Sequence, residues 1–269
     1  MYLKTLKIIS KDYNIDQYPF NLKLFRGFES IDFTSPLTII MGDNGSGKST
    51  LINLLGEKID AVKFKNKYSN TLSESLIKDA SKHFKLSMTS HPKKRFLFQG
   101  EAFTHYLGQI NDFKEDASIS LEEIETDYEN RSQYSKKLAR MPHDRNLYEV
   151  NNLYDKDLNK LSHGQSFLEF FSKRISNNGL FLIDEPEAAL SMENQLVFLN
   201  ILSNSIESNS QIIISTHSPI IAAYPGAQIL EIRNDIINHV QYDDIRSISF
   251  LKSFLENREG YLRYLKNIT

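Results

Sequence analysis

Gly42-Asp43-Asn44-Gly45-Ser46-Gly47-Lys48-Ser49-Thr50 is the stretch that decides the fold of this chain. It follows a short apolar, β-branched run, Leu37 to Met41, and it leads into residues at helical spacing, Ser49 to Leu55. Strand, glycine-rich turn and helix, in that order, are the setting in which G-x-x-x-x-G-K-[ST] acts as a phosphate loop. The glycines let the backbone curl so that successive N–H groups face β- and γ-phosphates, and the helix dipole adds positive potential there. Lys48 brings a point charge to those oxygens and Ser49 a hydroxyl suited to Mg²⁺. Asp43, Asn44, Gly45, Ser46, Gly47, Lys48, Ser49 and Thr50 are the candidate nucleotide contacts.

A second element lies downstream. Leu180 to Ile183 are continuously apolar, which predicts a buried strand of a parallel sheet, and Asp184-Glu185 follow at once. An aspartate at the C-terminal end of such a strand sits at the ligand edge of an open α/β sheet. Asp184 is the candidate Mg²⁺ ligand, and Glu185 the candidate general base that polarises a water. Leu168, Phe171 and Ile175 predict one helix with an apolar stripe, and Leu196, Leu199, Leu202 and Ile206 another. Ile212 to Ile214 predict a second buried strand.

Leu161-Ser162-His163-Gly164-Gln165 resembles the signature of ABC-type ATPases, with His163 in place of a glycine. Asp184-Glu-Pro-Glu-Ala-Ala-Leu-Ser191 resembles their Walker B and D-loop run, and Ser215-Thr-His217-Ser-Pro219 their switch-histidine loop. Tyr18-Pro-Phe20 and Tyr224-Pro-Gly-Ala227 add a closer similarity to stand-alone predicted bacterial ATPases that lack a transmembrane domain.

The resemblance implies one ABC-type ATPase domain over 1–269: a P-loop α/β fold with a mixed, largely parallel central sheet flanked by helices. An N-terminal antiparallel β region and a mostly helical lobe, 103–160, inserted before the signature, complete it. It implies Mg-ATP as ligand and a head-to-tail dimer in which Ser162, Gly164 and Gln165 of one copy meet the γ-phosphate held by the other. That helix is expected to start near Gln165, and Ser and Gly at a helix N-terminus suit an anion on their own account. His217 would contact the γ-phosphate and the attacking water, beside Glu185 and Lys48 as the catalytic set. Gln99, after the apolar run Phe96 to Phe98, is the candidate for the loop that reaches Mg²⁺ and water, with Glu101 as the alternative. Tyr18 or Phe20 is a candidate for stacking on adenine. Ser191 stands where many ABC proteins carry Asp.

Composition narrows the rest. The chain has 269 residues, 40% of them apolar, a formal charge of −2 and no cysteine, so disulfides and cysteine-ligated metals are excluded. Met1 to Ser10 reads as a strand, and no stretch approaches the length of a membrane helix, so a cytoplasmic protein is expected. Residues 61–95 are basic, with Phe64, Tyr68 and Phe84 interleaved, and 112–129 are acidic. The basic run is either a nucleic-acid face or a solvated lysine surface. The expected activity is an ATP-driven clamp or switch on an unidentified protein or nucleic-acid partner, in DNA repair or phage defence. Alternatives are the ATP-binding subunit of a transporter and a nucleotide sensor with little turnover. The middle lacks a sustained heptad pattern, which argues against a long-armed chromosome-type ATPase.

Overall fold

A computed structural model describes residues 1–63, 71–129, 131–151, 158 and 161–263. Among the described residues ten strands run in chain order: β1 (Leu3–Ile8), β2 (Ser30–Asp32), β3 (Leu37–Gly42), β4 (Val62–Lys63), β5 (Phe84–Met88), β6 (Lys94–Gln99), β7 (Gly179–Asp184), β8 (Gln211–Ser215), β9 (Gln228–Arg233) and β10 (Ile236–His239). The helices are α1 (Lys23–Arg26), α2 (Lys48–Lys58), α3 (Thr71–Ser81), α4 (Gly100–Asp127), α5 (Gln133–Asn151), α6 (His163–Arg174), α7 (Met192–Glu207), α8 (Pro219–Ala222), α9 (Arg246–Glu256) and α10 (Arg258–Leu262).

The central sheet has the order β10-β9-β3-β8-β7-β6-β4. All its neighbours are parallel except β10, which pairs antiparallel with β9. The fully buried strands β7 and β8 read as unbroken apolar runs because helices cover both faces of the sheet. A three-stranded antiparallel sheet, β2-β1-β5, stands beside it. The expected fold class is therefore observed. One strand of the antiparallel region, β5, comes from beyond the phosphate loop rather than from the N-terminus.

Two apolar cores lie on opposite faces of the central sheet. One gathers Phe25, Phe33, Leu51, Leu55 and Phe84 between α2 and the antiparallel sheet. The other is rich in phenylalanine, with Phe98, Phe103, Phe167, Phe170, Phe171, Phe181 and Phe198. Phe171 stands edge-on to Phe98 at 4.5 Å and to Phe198 at 5.2 Å. Edge-to-face rings at such distances add to simple burial and fix orientation. This cluster seats α6 on the sheet. Within 103–160, α4 and α5 pack against one another, and Glu125 meets both Lys136 and Arg140 across them.

The expected stripes of the two helices pack against the core, with one departure, in α7. In α7 the buried positions are Gln195, Phe198, Leu202 and Ser205, while Leu196 is exposed, one position away from the apolar stripe. The reason is polar. Gln195 is drawn inward because its amide donates to Leu190 O and its oxygen accepts from Ser218 Oγ. In α6 the expected Phe171 and Ile175 are buried together with Phe167 and Phe170, and half-buried Leu168 packs against the same core.

Buried glutamine side chains join the two sheets: Gln228 of β9 donates to Asp32 O of β2 at 2.7 Å, and Gln211 of β8 reaches β1. Gln211, fully buried at the start of β8, accepts from the N–H groups of Tyr2 and Leu3 at 2.7 Å each and donates to Leu3 O at 3.0 Å. Replacing it by Leu strands these backbone groups, so Gln211→Leu is expected to cost about 2–4 kcal/mol. Urea unfolding monitored by circular dichroism checks this.

Candidate active site

The site forms along the C-terminal edge of the parallel strands. Register sets its layout: Gln99 of β6 is paired with Asp184 of β7, and Asp184 with Ser215 of β8. β3 runs on from this edge into the loop 43–47. Gly45 and Gly47 take left-handed φ values of 75° and 99°, which turn the chain tightly enough to start α2 at Lys48. α2 begins without a side-chain cap, so its first N–H groups face the loop's interior.

Lys48 is only 4% exposed, and its ammonium donates to Gly42 O at 2.9 Å and Asp43 O at 3.1 Å. Burial lowers its pKa, opposed by the carboxylates of Glu185, Asp184, Glu187 and Asp43. The Asp43 carboxylate lies 4.0 Å from Arg246 of α9, at the exposed rim where Asn44 and Gly45 also lie. Ser46 Oγ is buried without a hydrogen-bond partner among the described residues. An orphaned hydroxyl, an uncapped helix start and a buried ammonium fit a polyphosphate. Thr50 is bonded through Oγ1 to Tyr18 Oη at 3.0 Å.

Asp184 is 6% exposed and accepts from Ser49 Oγ at 3.2 Å and from Ser215 Oγ, both on Oδ1. Burial raises its pKa first of all; the two serine bonds oppose this, Glu185 adds to it, and Lys48 opposes it. Among the described residues no three His, Cys, Asp or Glu side chains converge as a metal cage. One carboxylate beside one hydroxyl is the sparse set that suits Mg²⁺, which keeps waters and takes phosphate oxygens.

Glu185 follows in a left-handed conformation, φ 49° and ψ 57°, an outlier for a residue with a side chain. Its N–H donates to Ser215 O at 2.9 Å, which holds the kink. His217 Nε2 approaches Glu185 Oε1 at 3.4 Å, both side chains about one-third exposed. Gly100 belongs here too. A β-carbon on it would lie 2.1 Å from Glu185 O, so only glycine lets α4 start beside this turn.

The signature-like residues sit at the start of α6. Ser162 Oγ accepts from Gln165 N at 3.3 Å and Gln165 Oε1 from Ser162 N at 3.2 Å, a reciprocal capping box. The helix thus begins at His163, two residues before the expected start. A β-carbon on Gly164 would meet Asn194 Nδ2 at 2.5 Å, so α6 and α7 approach closely there. His163 is exposed, its ring 5.4 Å from that of Phe103.

Some expectations need correction. Phe20 is 3% exposed and stacks on Tyr13 at 3.6 Å, so it belongs to the core and cannot reach adenine. Phe84, interleaved in the basic run, is likewise buried beside Phe20 and cannot present a face to a base. Phe64 and Tyr68, and the side chain of Glu101, lie outside the described residues. Lys63, Lys82 and Arg95 pair with Glu57, Asp79 and Asp60, which favours the solvated reading of that run. Sequence reasoning missed Glu187. Its carboxylate accepts from Thr216 Oγ1 at 2.8 Å and from His217 N–H, contacts that adjacency in the chain does not announce.

A family model described as ABC transporter matches residues 33–188, and one described as AAA ATPase domain matches 164–222. The chain belongs to the ABC family, and it is an ABC-type ATPase, a protein that binds and hydrolyses ATP. It is 28% identical over 231 residues to the macrolide export ATP-binding/permease protein MacB of Campylobacter jejuni, covering 85% of this chain and 33% of MacB. It is 30% identical over 227 residues to MacB of Aggregatibacter actinomycetemcomitans, covering 82% and 32%. The chain therefore spans about a third of the length of these relatives. Among solved structures it is similar to the Smc head domain of Pyrococcus furiosus, with a TM-score of 0.47, 13% identity, and 95% and 99% coverage. It is also similar to a nucleotide-free ATP-binding cassette from an ABC transporter, with a TM-score of 0.45, 17% identity, and 94% and 96% coverage. These structural likenesses are loose, and family membership rests on the sequence match. None of the helices, among the described residues, is long and apolar enough to cross a membrane.

Two outcomes follow from the geometry. Gly100→Ala is expected to displace Glu185 and cost about 1–3 kcal/mol, with turnover falling further than stability explains. Melting temperature and ATPase rate, measured on one preparation, check this. Asp184 binds its proton more tightly folded than unfolded. Without divalent cation, stability therefore falls as pH rises from the ordinary carboxylate range through its raised native value. Asp184→Asn is expected to flatten that slope and raise the metal-free melting temperature, while abolishing stabilisation by Mg-ATP. Thermal scans across pH check both.

Proposed function

We propose that this chain is an ATP-driven clamp or switch. Its phosphate loop holds Mg-ATP, and two copies close head to tail over two nucleotides. The observation that carries this is the Glu185–His217 pair at 3.4 Å beside Asp184, at the mouth of the phosphate loop. Backbone N–H groups of 43–50 and the Lys48 ammonium bind the polyphosphate. Ser49 and Asp184, with Gln99 in register beside them, would hold Mg²⁺, which when bound supplies neutralising charge on the phosphate oxygens. Glu185 orients and accepts the proton of the attacking water, and His217 steadies the developing charge.

The second copy's role follows from what one copy lacks. Ser162, Gly164 and Gln165 lie at a capped helix N-terminus able to face an anion. They would meet the γ-phosphate bound by the partner. The domain works in the cytoplasm, and residues 1–269 form a single domain with the 103–160 lobe as its arm. Its target is a protein or nucleic acid. A second reading, the ATP-binding part of an exporter, is favoured by the MacB likeness, and co-purification with an integral membrane protein would establish it.

The test is light scattering of Glu185→Gln at zero and millimolar Mg-ATP. A monomer-to-dimer shift with turnover lost is the expected result. A Glu185→Gln protein that hydrolyses ATP at the wild-type rate would remove Glu185 from the mechanism.

A further inference from the structure

One loop pair is tied together twice. Glu185 and Glu187 lie on the same turn, closed by Ala188 N donating to Glu185 O at 3.2 Å. Across from it lies Thr216-His217, just beyond β8. The imidazole of His217 reaches Glu185, while its backbone N–H donates to Glu187 Oε1. Thr216 Oγ1 donates to Glu187 Oε2 at 2.8 Å and accepts from Ser218 N at 3.0 Å. The path from Glu185 through Pro186 to Glu187, across to His217 and back to Glu185, is a closed ring.

We infer that Glu187 is a positioning residue for ATP hydrolysis: by holding the His217 backbone and the Thr216 hydroxyl, it fixes the imidazole against Glu185. The inference rests on the proposed roles of Glu185 and His217. A carboxylate suits the task because its two oxygens accept from two donors at once, and such charge-assisted bonds are short and strong. Glu187 does not touch the reacting atoms in this scheme. Its contribution is the distance between two groups that do. The His217 side chain is exposed between buried Thr216 and Ser218, and an error of about 1 Å in such a pair can cost about 10²-fold in rate.

Two conservative variants separate reach from charge. Glu187→Asp keeps the charge but shortens the arm by about 1.5 Å, one carbon–carbon bond. Glu187→Gln keeps the reach and the acceptor for His217 N–H but removes the charge. Both are assayed for kcat, KM for Mg-ATP and melting temperature, beside Glu185→Gln as control. The expected result is a kcat loss of about 10²-fold in Glu187→Asp and a clearly smaller one in Glu187→Gln, with KM and melting temperature held. Wild-type turnover in Glu187→Asp, an equal or larger loss in Glu187→Gln, or a loss that tracks melting temperature or KM overturns the inference. If Glu185→Gln is inactive while Glu187→Asp is not, this inference fails alone. If Glu185→Gln turns over normally, the parent reading fails.

Discussion

Asp184 is a carboxylate kept almost wholly out of water at the end of β7, and the layout of the site depends on it. Burying a carboxylate disfavours its charged form, so its pKa is raised, and the surroundings answer with hydrogen bonds rather than with a paired cation in contact. Ser49 from the first turn of α2 and Ser215 from the end of β8 both donate to the same oxygen. That one atom therefore draws the phosphate-loop helix and the neighbouring strand to a common point. Lys48 is near enough to oppose the shift, and two of its three donors go to the carbonyls of Gly42 and Asp43. A divalent cation with polyphosphate would relieve both groups together, since each is now destabilised by burial.

The same edge explains why irregular backbone is concentrated there. Glu185 takes a left-handed conformation because β7 must end at Asp184 and turn at once, while its N–H still reaches Ser215 O. That turn occupies space which a side chain at position 100 would claim, so β6 can pass into α4 only through glycine. On the opposite side, the phenylalanine cluster holds α6 to the sheet, and Gly164 lets α6 approach α7 closely. The start of α6 thus packs against the turn that follows Asp184.

What was legible in the sequence were features written in consecutive residues. The phosphate loop announces itself because glycine, lysine and serine are needed at fixed offsets, and β7 and β8 because double burial leaves only apolar side chains. What was not legible depends on partners far along the chain. Gln195 breaks the apparent stripe of α7 because its bonding partners include Ser218, and Gln211 looks like an ordinary polar strand residue until the backbone of Tyr2 and Leu3 is set against it. Phe20 carried a plausible aromatic role, yet Tyr13, His83 and Phe84 surround it. Glu187 lies within the Asp184–Ser191 run, but the groups that give it a role, Thr216 and His217, lie about thirty residues on.

The start of α6 bears on whether a capped helix can also receive an anion. The capping box engages Ser162 Oγ as an acceptor, and a hydroxyl that accepts still has its own proton to donate. The cap therefore orients Ser162 without exhausting it. The imidazole that replaces a signature glycine lies within ring-contact distance of Phe103 on the chain's own α4, so the extra bulk at position 163 has a place to rest. One copy of the chain, meanwhile, has Lys48 as the one buried cation among its described residues, set against the carboxylates of Asp184, Glu185 and Glu187. A triphosphate entering that field meets an excess of negative charge. Mg²⁺ and the N–H groups of the loop would offset part of that charge, and in the proposed head-to-tail dimer donors from the N-terminus of a second copy's α6 would add to them.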